Sequence, residues 1–173
     1  MKIEPAFLWL VLLVGCSGPE QSKESPVVLE VWYGDQQSFG TPGLSQNWIN
    51  VLGNVSSTHG IRSMNYRLNQ GRPVALTLGS DLHRLAHPGD FNVELEVNDC
   101  LEGVNQLLLQ VTDSAGHELE KSIELVINKK NQWPLPYTIN WSEVTELQAV
   151  VQVVDGYWEI TDEGIHNRDM YYD

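Results

Sequence analysis

The heptapeptide FNVELEV, residues 91–97, decides the fold class of this chain. Its side chains alternate strictly between apolar and polar, and the apolar set is Phe91, Val93, Leu95 and Val97. Successive side chains of a β-strand point to opposite faces of a sheet, so a period of two indicates a strand with one buried face. The pattern therefore predicts a strand whose apolar side lies against a core.

Six further segments between residues 27 and 128 are short and rich in strand-forming residues, with turn residues between them. They are VVLEVWY (27–33), WINVLGNV (48–55), SMNYRL (63–68), PVALTL (73–78), VNQLLLQVTD (104–113) and ELEKSIELVI (118–127). Gly53-Asn54 is predicted to be a turn. Seven short strands in about a hundred residues predict an all-β fold, an antiparallel β-sandwich of the immunoglobulin-like type.

Three stretches resemble the bacterial immunoglobulin-like domains of surface proteins. They are NVSSTHGIRSMNYRLNQG (54–71), DFNVELEV (90–97) and LQVTDSAGHELEKSIELVI (109–127). In such domains a strand often ends in T-D-x-A-G-[NH], as residues 112–117 do, and the Asp and Gly suit a tight hairpin. The resemblance covers residues 27–128 and implies a spacer or binding module rather than an enzyme.

The first eighteen residues, MKIEPAFLWLVLLVGCSG, contain an apolar run over residues 6–14. A nine-residue helix reaches only about 14 Å, against about 30 Å of membrane hydrocarbon, so the run predicts an export signal. Residues 13–16, Leu-Val-Gly-Cys, resemble a bacterial lipobox. The resemblance implies a signal peptide over residues 1–15, cleavage before Cys16 and a lipid anchor on Cys16. An ordinary cleaved secretory signal is the alternative.

Residues 16–26 are small, polar and contain Pro and Gly, which predicts a flexible tether. The membrane is therefore the first expected partner, reached through the lipid on Cys16. Ser17 follows the cysteine, and by resemblance to enterobacterial sorting this favours the outer membrane of the bacterial cell envelope.

The chain is strongly acidic, with 23 Asp and Glu against 10 Lys and Arg and a net charge of −13. It has no block of basic residues, so nucleic acid is excluded as a partner. It also has no G-x-S-x-G elbow and no nucleotide-binding glycine loop, so we predict no catalytic residue and no cofactor. Cys100 is the only cysteine besides Cys16, and we predict a half-buried, unreactive thiol.

Two constellations suggest chemistry but favour a plainer interpretation. Glu94 and Glu96 share one strand face, as a glycosidase pair does, but a solvated outer face is the preferred interpretation. DLHRLAHPGD (81–90) offers His and Asp ligands for zinc, namely Asp81, His83, His87 and Asp90. Pro88-Gly89 ends any helix there, so we predict a polar loop and no metal site.

The composition changes after a polar linker over residues 129–132. Residues 133–173 hold eight acidic side chains and one Arg. Pro134 and Pro136 favour an extended start, and we expect a helical turn near 143–148 and a hairpin around Asp155-Gly156. WPLPYTINWSEVTELQAVVQVVDGYWEITDEGI (133–165) resembles the opening of a concanavalin A-like, laminin G-type domain. The resemblance implies an incomplete domain of a carbohydrate- or polymer-binding family.

Three aromatic residues in this region are spaced by four, namely Trp133, Tyr137 and Trp141. On one face of a strand they would form a platform for stacking sugars, so they are the candidate ligand-binding residues. The alternative is that they pack into a core, as large aromatic side chains mostly do.

The sequence therefore predicts a cell-envelope lipoprotein that acts as a non-catalytic binding or display module, with glycan or extracellular polymer as the ligand class. Two alternatives stay open. One is the N-terminal part or remnant of a secreted glycan-active enzyme, and the other is an acidic structural spacer without a ligand.

Overall fold

The computed structural model of the chain describes residues 26–81 and 83–168. Within these ranges the chain forms strands β1 (Val27–Val31), β2 (Gln36–Phe39), β3 (Trp48–Ser57), β4 (Ile61–Leu68), β5 (Val74–Ala75), β6 (Asp90–Glu96), β7 (Gly103–Asp113), β8 (Glu118–Ile127), β9 (Trp158–Thr161) and β10 (Gly164–Asn167). Three single 3₁₀ turns span Val97–Asp99, Trp141–Glu143 and Leu147–Ala149. The predicted signal peptide and Cys16 lie outside the described residues. No helix in the described ranges is both long and apolar enough to cross a membrane.

The eight strands between residues 27 and 127 form two sheets. One has the order β1-β3-β6 and the other the order β2-β8-β7-β4-β5. All pairings in these sheets are antiparallel except that of β2 with β8, which is parallel. Both sheets contribute to a single hydrophobic core, which includes Phe39, Val51, Phe91, Leu109 and Ile123. The all-β sandwich expected from the sequence is therefore confirmed.

The turn predicted at Gly53-Asn54 is wrong, because β3 runs through it and pairs with β1 and β6 on either side. A Cβ atom on Gly53 would overlap the Glu30 carbonyl oxygen and the Phe91 ring. Glycine is needed here because a neighbouring backbone and a core ring approach closely, and not because the chain turns.

Strand β2 was not predicted, because QQSF carries no alternating apolar pattern. It forms after Gly34, whose φ of 81° lets the chain turn away from β1 and cross to the other sheet. Gln37 points inward and is buried, although it is polar. β2 therefore connects the two sheets at the end of β1.

The hairpin predicted from TDSAGH is confirmed. Asp113 Oδ1 accepts hydrogen bonds from the backbone N–H groups of Ala115 and His117, at 2.9 and 2.8 Å. Gly116 has a φ of 90°. The aspartate therefore caps the turn, and the glycine supplies its left-handed residue.

The C-terminal segment packs on the outer face of the three-stranded sheet. Leu52 points out of the sandwich from β3 and is 1% exposed, because Leu147 and Val153 cover it. Several partly buried side chains complete this second cluster, namely Trp32, Tyr33, Trp141, Val151, Trp158 and Ile160. The Gln152 side chain also joins the segment to the loop before β3, through Gln46 N–H and the Leu44 carbonyl.

Two local predictions for this segment are wrong. Asp155-Gly156 is a bend in irregular chain, and the hairpin lies one step later, between β9 and β10. The single helical turn expected near 143–148 is two separate 3₁₀ turns, Trp141–Glu143 and Leu147–Ala149. Tertiary packing on Leu52 overrides weak local preferences here.

Candidate functional site

A cleft of about 1000 Å³ opens where the chain crosses between the two sheets. One side is formed by residues 32–38 and Thr41, at the end of β1 and along β2. The other side is formed by residues 145–149 and 157–160 of the C-terminal segment. The cleft therefore lies between the sandwich and the segment that packs on it.

Backbone and side-chain hydrogen bonds fix the sandwich side of the cleft. Trp32 N–H donates to the Leu52 carbonyl at 3.0 Å, which extends the pairing of β1 with β3 by one residue. The Gln37 side chain donates to the Gly34 carbonyl at 3.0 Å. These bonds hold the Trp32-Tyr33 pair at the edge of the cleft.

Tyr33 joins the C-terminal side of the cleft to the sandwich side. Its hydroxyl donates to the Gly156 carbonyl at 2.8 Å and accepts from Trp158 N–H at 3.0 Å. Burial raises the pKa of Tyr33 to about 12, against the smaller opposing effect of the Trp158 hydrogen bond. The phenol is therefore neutral at physiological pH and is able both to donate and to accept.

Aromatic rings form one face of the cleft. Trp32 stacks on Tyr157 with ring centroids 5.2 Å apart and planes 5° from parallel. Tyr33 meets the same Tyr157 ring edge-on at 6.1 Å. The Arg168 guanidinium lies 4.9 Å from the centre of the Tyr157 ring. The rings are therefore held by one another as well as by the backbone.

Two glutamine side chains meet at the base of the cleft. Gln148 is 9% exposed, and its Nε2 donates to Gln37 Oε1 at 3.3 Å. Gln148 Oε1 is buried and finds no hydrogen-bond partner among the described residues. Buried polar atoms in folded proteins are nearly always paired, so this oxygen is a candidate acceptor for a ligand donor, which a turn of the Gln148 amide toward the cleft would bring within reach.

The charge of the cleft excludes one class of ligand. Its described lining contains the carboxylates of Asp35, Glu146 and Glu159 but no Lys, Arg or His. Lys121 and Arg168 approach Asp35 and Glu159 from outside the lining, at 2.8 and 3.5 Å. On a chain of net charge −13 this lining repels anions, which leaves neutral and cationic ligands.

The three aromatic residues singled out in the sequence do not share one face. Residues 132–140 form no strand, so the period-two argument does not apply to them. Trp133 meets Tyr137 edge-on at 5.2 Å and covers Gly43, whose Cβ would overlap the indole. Trp141 lies apart from them, in the cluster around Leu52. A ligand-binding role for Trp133, Tyr137 and Trp141 stays a prediction.

The other sequence candidates have structural partners. Glu94 pairs with Arg84, whose guanidinium also contacts Asn50 at 3.3 Å and Asp155 at 3.6 Å. Asp81 Oδ1 accepts the backbone N–H groups of residues 83–85, and these bonds hold its pKa below the usual range. Glu94 and Asp81 thus serve local structure.

The loop over residues 81–90 does not gather a ligand set. In the described part of the chain, three His, Cys, Asp or Glu side chains come within ligand distance of one another at a single place. That group is His59, Asp113 and His117, at the other end of the sandwich. Sequence reasoning missed it because His59 and His117 lie 58 residues apart, in two different turns.

Cys100 is 3% exposed, and burial raises the pKa of its thiol, partly offset by Lys129. The thiol is therefore more deeply buried than the sequence led us to expect. A buried thiol with a raised pKa is a poor nucleophile, as predicted.

The comparisons with known proteins leave the family open. No family model matches the chain, and no curated protein matches it. One similar solved structure is the endo-β-1,4-mannanase from Thermotoga petrophila, at 11% identity and a TM-score of 0.44. The match covers 64% of this chain and 21% of the mannanase chain. A likeness of this size carries no argument about activity.

Proposed function

We propose that this chain is a non-catalytic module that binds a neutral glycan in the cleft between the sandwich and the C-terminal segment. The observation that carries the proposal is the base of the cleft, where the buried Gln148 Oε1 lacks a partner beside the stacked Trp32 and Tyr157 rings. Sugars offer hydroxyl donors and apolar C–H faces together, and the cleft offers the complement of both.

The lining argues for a polymer without charge. Amide and hydroxyl side chains outnumber carboxylates in it, through Gln36, Gln37, Ser38, Thr41, Thr145 and Gln148. A polar set of this kind fixes orientation, while the aromatic faces supply contact area. Uronic acid polymers would meet the carboxylates of Glu146 and Glu159, so we expect them to bind more weakly.

We also propose that the sandwich is of the immunoglobulin-like type. Its support is the strand order, in which β1-β3-β6 faces a sheet containing β8-β7-β4. This corresponds to the two sheets of immunoglobulin-like domains, with the first strand shared between them through β2. The concanavalin A-like nature of residues 133–173 stays a prediction; their described part contributes only the two-stranded β9–β10 sheet.

Display from the cell envelope through a lipid on Cys16 is the second element of the proposal. Its support within the described residues is the direction of β1. Val27, just after the predicted tether, pairs with Ser57 at one end of the sandwich, while Trp32 hydrogen-bonds Leu52 at the other end. A tether over residues 16–26 would therefore join the sandwich at the end opposite the cleft.

Affinity electrophoresis of the purified chain tests the cleft, with a neutral β-glucan and galactomannan against polygalacturonate. We expect retardation by a neutral polymer, and at least about a tenfold loss of affinity in Tyr157→Ala and in Gln148→Met. Trp48→Ala is the matched control, because Trp48 is exposed and lies outside the cleft lining.

The same gels separate the other candidate site. If Trp133→Ala abolishes binding while Tyr157→Ala does not, the aromatic residues of 133–141 are the site and the cleft proposal is wrong. If no polymer is retarded, the chain is a spacer. Release of reducing sugar from a bound polymer would contradict the non-catalytic binding function and favour the alternative of a glycan-active enzyme.

The lipid anchor has its own test. Cells fed with labelled palmitate are expected to label the wild-type chain and not Cys16→Ala. Equal labelling of both would remove the anchor from the proposal, and the cleft would stand unaffected.

A further inference from the structure

Two turns meet at the end of the sandwich opposite the cleft. His59 lies in the turn between β3 and β4, and His117 lies in the turn between β7 and β8. Ser114 N–H donates to the Gly60 carbonyl at 2.9 Å and joins the two turns. The imidazole rings face each other with centroids 5.2 Å apart, and each side chain is about half exposed, at 47%.

The carboxylate of Asp113 lies between the two rings and is itself fully buried. Its Oδ1 is occupied by the backbone N–H groups of Ala115 and His117. The Ser57 hydroxyl donates to its other oxygen, Oδ2, at 2.9 Å. The carboxylate is thus held in one orientation.

Asp113 Oδ2 is crowded. The His117 Nδ1 atom lies 2.9 Å from it, the His59 Nδ1 atom 3.3 Å, and the Ser57 hydroxyl donates to it at 2.9 Å. One carboxylate oxygen has two lone pairs, so it cannot bond well to all three neighbours when both imidazoles carry a hydrogen on Nδ1. A cation between the three side chains relieves this, because both imidazole nitrogens then direct lone pairs at the metal.

The spacing suits a transition metal. Zinc binds imidazole nitrogen and carboxylate oxygen at about 2.0–2.2 Å, so two ligand atoms of a tetrahedral site stand about 3.3–3.5 Å apart. The separations of 2.9 and 3.3 Å from Asp113 Oδ2 need only small outward shifts, and all three ligand atoms lie within 4.8 Å of one another. Two imidazoles and a carboxylate are a set that zinc accepts.

We infer that His59, Asp113 and His117 form a binding site for a divalent transition-metal cation of the zinc type, which ties the β3–β4 turn to the β7–β8 turn. Ser57 holds the carboxylate from the outer shell, as hydrogen-bonded partners of metal ligands generally do. The half-exposed rings leave a coordination position open to water.

The experiment is isothermal titration of the purified, metal-stripped full chain with Zn²⁺ alone at neutral pH. We expect one zinc per chain with a dissociation constant in the micromolar range. His59→Ala and His117→Ala should each weaken zinc binding by more than about tenfold. Substitution of a residue that only hydrogen-bonds a metal ligand already lowers metal affinity by about tenfold or more. Both side chains are half exposed, so these variants keep the fold, which circular dichroism checks.

His83→Ala is the matched control, because His83 is an exposed histidine outside the cluster. It should bind zinc like the wild type. Cobalt provides a second readout, since Co²⁺ at a site with nitrogen and oxygen ligands gives visible absorption that both cluster variants should lose. The inference is overturned if the wild type takes up no zinc, or if either cluster variant binds zinc as tightly as His83→Ala does.

Discussion

Leu52→Ala is the substitution that most directly probes the packing of the C-terminal segment on the sandwich. Leu52 is 1% exposed and touches Leu147 and Val153 on the outer face of β3. The change removes three carbons, worth about 0.8 kcal/mol each, or about 2.4 kcal/mol in transfer free energy. A residual cavity of about 50 Å³ adds about 1.2 kcal/mol. We expect a loss of about 3.5 kcal/mol, borne by the segment over residues 141–160.

Native-state hydrogen exchange measures where that loss falls. The Val150 and Val151 N–H groups bond to the Leu147 carbonyl, and the Trp158 N–H bonds to the Tyr33 hydroxyl. Exchange at these amides should accelerate roughly 300-fold, the equivalent of 3.5 kcal/mol in the local opening equilibrium.

Leu109→Ala is the matched control, since Leu109 is 0% exposed but belongs to the core between the two sheets. Its loss should fall on the β7 and β8 amides as well as on the segment. If Leu52→Ala accelerates exchange in the segment by less than about fivefold, the segment does not depend on the outer face of β3, and the cleft between them is not a stable feature.

Three further substitutions follow from the packing and the hydrogen bonds. Tyr33→Phe leaves the Gly156 carbonyl and a backbone N–H without partners and should lower the unfolding free energy by about 1–3 kcal/mol. Burial raises the pKa of Tyr33 to about 12 in the folded chain, so its contribution to the free energy of unfolding is full below pH 10 and is lost between about pH 10 and 12. A stability difference between wild type and Tyr33→Phe that does not change across that window would contradict this. Gly53→Ala should unfold the chain or lower the free energy of unfolding by about 3 kcal/mol or more in a urea titration. Gly34→Ala should lower it by only about 1 kcal/mol, because a Cβ at Gly34 meets nothing within 4 Å. Cys100 should react with a maleimide only in urea, and rapid labelling of the native chain would refute its burial.

The sandwich could be predicted from the sequence because most of its strands bury one face only. β6 alternates in both sequence and burial from Phe91 onward, and β7 alternates in burial although Leu107, Leu108 and Leu109 interrupt the alternation in its sequence. β3 differs because both of its faces are covered, one by the core and one by the segment at Leu52. A strand covered on both faces has a continuous apolar run and no alternation, so the sequence does not indicate that the strand continues through Gly53.

The cleft could not be predicted from the sequence in the same way. Trp32 and Tyr157 lie 125 residues apart, and neither local pattern indicates that they stack. Gln148 sits next to an apolar residue in a short turn, where a polar side chain is normally exposed. Its amide is buried only because the segment packs on the sandwich, where it meets the Gln37 side chain of β2. The aromatic spacing of 133–141 was visible in the sequence, but the platform it suggested needed a strand that does not form.

The most direct test of the proposed function is a nuclear magnetic resonance titration of the isotope-labelled chain with a neutral glycan oligosaccharide. The side-chain amide of Gln148 and the indole N–H of Trp32 should shift together and saturate at one concentration, while the indole of Trp48 should stay in place. Shifts confined to Trp133 and Trp141, or no saturable shift at the Gln148 amide with any neutral glycan, would contradict binding in the cleft.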